Sequence, residues 1–216
     1  MGDTSRSGGR RGGGGSGVNP SDILSTKSLV SERERQQAMV DETLGVFRDV
    51  MAEYGSEIDD IQLATLKQKA SGTIAYYDGA NIAVNEKYFN KEVMDKAYAQ
   101  CVESGFHPSN GNKTGLEAVV AHELGHKLTA DVGVKMGKTG IGSIDAVATD
   151  IVKEARKSTK HKGVVQMASK ISGYATHSNA EAIAEAFSDV YCNGKKAKAE
   201  SKAIMAVVDK YLKIRG

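Results

Sequence analysis

The segment AVVAHELGHKL, residues 118–128, constrains this chain more than any other stretch. It carries His122, Glu123 and His126 in an H-E-x-x-H pattern among Val119, Val120, Leu124 and Leu128. Apolar residues at that density describe a helix with much of its surface buried, where an imidazole is costly unless it is hydrogen-bonded or bound to metal. Four residues along a helix turn through about 400° and rise about 6 Å, so both imidazoles share a face and reach one tetrahedral ion. Zinc is the expected ion, with His122 and His126 as ligands and Glu123 projecting beside it. Zinc lowers the pKa of a bound water to about 7, and a nearby carboxylate can take that proton and pass it to a leaving amine. Thr114 and Glu117 have capping-box spacing and predict where this helix starts.

A catalytic zinc needs one more protein ligand and an open position. The continuation with Gly three and His six residues after His126 is excluded, because Thr129 and Val132 stand there, and Asp131 fits no ligand spacing. Downstream, YATHSNAEAIAEAFSDVY, residues 174–191, places Glu181, Glu185 and Asp189 along one helix face. Ala182, Ile183, Ala184, Ala186 and Phe187 surround that stripe, so the helix reads as buried, and buried carboxylates require a cation. Two registers are open. Glu181 is the ligand with Glu185 behind it, or Glu181 caps its own helix with Ser178, leaving Glu185 as ligand and Asp189 behind it.

These residues resemble the gluzincin family that includes anthrax lethal factor and the Pro-Pro endopeptidases. In that family a Tyr precedes the glutamate ligand by seven residues, and the ligand opens an E-x-x-A-E-A-F stretch. Tyr174, Glu181 and the run from Glu181 to Phe187 match in spacing and identity. The resemblance implies a zinc endopeptidase acting on protein or peptide segments. Glu181 is then the third ligand, Glu185 a carboxylate supporting the ligands, Glu123 the base and Tyr174 the hydroxyl that meets the developing oxyanion; the bland alternative for Tyr174 is a core tyrosine. The motif-bearing match covers about residues 115–191. A weaker resemblance, carried by AYYD, VNEKYF and FHPSNG, is to metallopeptidase-like domains of bacteriophage minor head proteins. It implies a virion-associated chain, and with it a rival reading: a structural protein that keeps a peptidase-like fold without turnover.

Around this core the periodicity changes along the chain. Ser31 and Glu34 predict a cap for an amphipathic helix running to Gly55. Ile61, Leu63 and Thr65 then alternate, and TIAYY and NIAVN flank Asp78-Gly79, which predicts a small antiparallel sheet ending in a hairpin. Ala83 is expected in the middle of an edge strand along which an extended peptide could add. Helices are expected at 91–104, 115–130, 143–157, 164–172, 179–192 and 196–213. Sheet first and helices after give an α+β, zincin-like architecture.

Residues 1–20 read as a disordered leader, since eight of the first 17 are Gly and three are Arg, and residues 21–216 read as one domain. A DNA-binding role for Arg6, Arg10 and Arg11 is the most distant reading. A net charge of +2 gives no mandate for a nucleic-acid or membrane partner. No secretory signal or membrane-length apolar run is visible, so a cytoplasmic or virion-associated location is expected. Cys101 and Cys192 read as buried reduced thiols. His107, His161 and His177 read as loop or surface histidines, with His177 near enough to the site to test.

Overall fold

The computed structural model describes residues 26–56, 61–64, 73–140 and 142–213. The expected leader, residues 1–20, lies outside them. The whole site lies in the compact unit that begins at Arg35.

The first helix, α1 (Thr26–Tyr54), begins upstream of the expected cap, so Ser31 and Glu34 lie inside it. No breaker occupies residues 26–30, and extending a helix is cheaper than starting one. Three short strands follow: β1 (Ile61–Ala64), β2 (Ala75–Tyr77) and β3 (Ile82–Asn85). Asp78 closes the β2–β3 turn by accepting hydrogen bonds from the backbone of Ala80 and Asn81 at 2.9 and 2.7 Å. Gly79 there has φ 108°, a conformation that favours glycine.

The sheet order is β1-β3-β2, with β2 antiparallel to β3 but β1 parallel to it. The sheet is therefore mixed, and Ala83 is central, paired with both Gln62 and Tyr76. Alternation along a strand reports which face is buried, whereas order within the sheet depends on the connection between β1 and β2. The exposed edge beside the helices belongs to β2.

Six helices complete the α+β architecture: α2 (Lys91–Glu103), α3 (Gly115–Lys135), α4 (Ser143–Lys157), α5 (Val164–Ala168), α6 (Asn179–Asn193) and α7 (Ala199–Leu212). The middle of the fold is α3, packed against α2, α4, α6, α7 and β2. Its capping box is formed: Thr114 Oγ1 accepts from Glu117 N at 3.2 Å, and Glu117 Oε2 accepts from Thr114 N at 2.8 Å. It runs five residues past the expected end, stopping where Gly137 takes φ 67°. Helix α5 is shorter than expected; the chain leaves it at Ser169 and brings Ile171 and Ser172 into the interior. No helix among the described residues is long and apolar enough to cross a membrane.

Candidate metal centre

Helices α3 and α6 meet where Gly125 faces Ala184. A Cβ on Gly125 would lie 2.6 Å from Ala184 Cα, so only glycine lets the backbones approach this closely. Ser188 Oγ reinforces the crossing by donating to the Ala118 carbonyl at 2.9 Å. The acidic stripe of α6 is thereby laid on the histidine face of α3.

His122 Nε2 and His126 Nε2 lie 3.1 and 3.5 Å from Glu181 Oε2. One ligand atom from each of these residues fits within a span of 4.8 Å. On the other side of its ring, His122 Nδ1 is 2.7 Å from Glu185 Oε1. An ionised carboxylate only accepts, so Glu185 holds a proton on Nδ1 and Nε2 is the nitrogen left to meet a metal. That nitrogen faces Glu181 Oε2, a buried oxygen with no well-formed hydrogen bond among the described residues. Two imidazole nitrogens and one carboxylate oxygen thus converge in a group that could hold a metal ion.

The electrostatics agree. Burial alone would push the His122 imidazole down, but Glu181 and Glu185 on its two nitrogens carry it well above the ordinary value. Burial would raise Glu181 too, and His122 and His126 instead hold it far below the usual carboxylate range. A metal bound at this group would compete with protons for it.

The two registers left open place their carboxylates differently. Ser178 Oγ accepts from Glu181 N at 3.0 Å, while the Glu181 side chain faces the histidines. Glu185, 1% exposed, touches His122 from behind. Asp189 serves the end of α6 instead, accepting from Asn193 Nδ2 and Lys198 N, each at 2.9 Å. Asp131 pairs with Lys127 at 2.5 Å and accepts from Ser56 Oγ, and is not in the group of possible metal ligands.

Glu123 is buried, and burial raises its pKa; His122, His126 and a hydrogen bond from the Tyr77 backbone offset part of the rise. The register of β2 explains that bond. Tyr76 pairs with Ala83 across the β2–β3 ladder, so Ala75 and Tyr77 turn their backbone groups to the outer edge, toward α3. Tyr174 sits in a 3-10 turn, Tyr174–Thr176, tied to the 105–106 loop by Gly173 N to Gly105 O at 2.8 Å and Tyr174 N to Phe106 O at 3.0 Å. Its ring stacks on His122 with centroids 5.7 Å apart. Burial first, then Glu181, Glu123 and Glu185, push its hydroxyl up to about 12, so it remains a donor at neutral pH.

Two cavities open onto the centre. One of about 380 Å³ runs between the β2 edge and His126, Glu181, Ile144 and Tyr174. The other, about 280 Å³, lies past His122 and Glu123 and is walled by Tyr98, Phe106, His107 and Val119.

His107 and Ser172 were not legible as site residues. His107 Nδ1 is 2.9 Å from Glu185 Oε1, and Ser172 Oγ donates to Glu185 Oε2 at 2.7 Å. The only sequence cue was a long irregular stretch, FHPSNGNKTG, just before α3. His177, by contrast, is exposed, with Nδ1 3.1 Å from the Tyr174 carbonyl. His161 pairs with Glu200 at 2.7 Å. Cys101 and Cys192 are free thiols but half-buried rather than buried.

The chain matches no protein-family model, no curated protein and no solved structure.

Proposed function

We propose that this chain is a zinc-dependent endopeptidase of zincin-like fold, with His122, His126 and Glu181 holding the metal and Glu123 acting as general base. The observation that carries the reading is the orphaned Glu181 oxygen facing two imidazole nitrogens, with a buried carboxylate beside them. When bound, zinc polarises the scissile carbonyl and acidifies the attacking water.

The protein's own groups do the rest. An extended peptide adds to the outer edge of β2, where the backbone of Ala75 faces the cleft, and lies across the histidines. Glu123, held by the Tyr77 N–H, accepts the proton of the attacking water and delivers it to the departing amine; burial makes its carboxylate a stronger base. The Tyr174 hydroxyl donates to the carbonyl oxygen as negative charge develops there.

The test pairs metal content with turnover. The purified chain is expected to bind about one zinc per molecule and to cleave peptides of four or more residues better than dipeptides. Glu123→Gln is expected to keep the zinc and lose cleavage. A chain that binds no zinc on reconstitution, or a Glu123→Gln variant with wild-type turnover, refutes the proposal.

A further inference from the structure

Glu185 accepts more than its role behind one ligand demands. Its Oε1 lies 2.7 Å from His122 Nδ1 and 2.9 Å from His107 Nδ1, and its Oε2 accepts from Ser172 at 2.7 Å. Both imidazoles must carry their proton on Nδ1, because the carboxylate has nothing to donate. Meeting two N–H groups at once fixes the direction from which Oε1 meets His122.

His107 is itself held. Its ring stacks flat on Tyr98, with centroids 5.6 Å apart and planes at 3°, and meets Tyr174 edge-on at 5.4 Å. Tyr98 in turn donates to the Pro108 carbonyl at 3.2 Å. The loop before α3 is therefore connected through His107 and Glu185 to a metal-binding imidazole.

We infer that His107 is a positioning residue: through Glu185 Oε1 it sets the orientation of His122, and with it the affinity and ligand field of the bound ion. This rests on the metal reading proposed above.

The experiment measures zinc affinity by chelator competition, and the absorption bands of the cobalt-substituted protein, in wild type and three variants. His107→Phe keeps the aromatic stack but has no donor. His107→Gln carries its amide past the Nδ1 position, and His107→Asn places an N–H near it. The Phe and Gln variants are expected to bind zinc about threefold to tenfold more weakly, less than the loss on removing Glu185 itself, with shifted cobalt bands, and the Asn variant to recover most of the affinity. If either folded deficient variant matches wild type in affinity and spectrum, or if Asn is as weak as Phe, the inference is overturned. A wild-type chain that binds neither ion overturns the metal reading and this inference together, which is a separate outcome.

Discussion

Replacing Gly125 by Ala tests whether the contact between α3 and α6 builds the metal centre. The added methyl would meet Ala184 Cα at 2.6 Å. Carbon atoms pack at about 3.5–4.0 Å, so α6 must retreat by about 1 Å. Such overpacking costs about 1–3 kcal/mol, while Ala in place of Gly within a helix returns about 1 kcal/mol. The balance is a loss of up to about 2 kcal/mol, a fall in melting temperature of up to about 8 °C for a domain of this size. Metal affinity should suffer disproportionately, because Ala184 lies between Glu181 and Glu185 on α6. Ligand distances tolerate only about 0.2 Å of error, so a retreat of about 1 Å should weaken zinc by more than about tenfold. Calorimetric melting of the zinc-free protein and chelator competition give the two values independently. A Gly125→Ala variant that melts at or above wild type and binds zinc with unchanged affinity would refute the argument.

Three further outcomes follow from the geometry. Glu181→Ala should abolish stoichiometric zinc binding, whereas Glu185→Ala should weaken it by about 10- to 100-fold; chelator titration giving the reverse ranking would return the ligand role to Glu185. Because β3 is central, Ala83→Pro should destabilise the whole domain, while Ala75→Pro, at a position whose N–H faces outward, should cost less stability and reduce cleavage of long peptides more than zinc binding. Equal melting temperatures for the two variants would contradict the sheet order. For Glu200, burial would raise the pKa, but the hydrogen bond to His161 overrides it and lowers it. A depressed folded-state pKa stabilises the fold above the unfolded value of about 4.3 and loses that effect as pH falls through the folded value. Glu200→Gln should therefore melt below wild type at about pH 6, with the difference closing toward about pH 3 in a pH series of thermal melts; a constant difference across that range would dissociate Glu200 from the effect.

Local chemistry determined what could be read along the chain. The helix of His122 and His126, its start at Thr114 and Glu117, and the turn at Asp78 and Gly79 depend on neighbours within four residues, and helical period or turn chemistry expresses that range directly. The position of Glu181 relative to Tyr174 was likewise a spacing on one short segment. Only the tertiary structure decided the rest. The sheet order, and with it the exchange of Ala83 for β2 as the edge, depends on where β1 pairs after a connection whose path no strand pattern encodes. Which of Glu181 and Glu185 faces the Nε2 atoms of His122 and His126 depended on the crossing of two helices, set by the missing side chain at Gly125 against a residue 59 positions away. His107 lies 78 residues from Glu185. Chain folding brings this loop histidine to a buried carboxylate, a juxtaposition with no period or spacing to announce it.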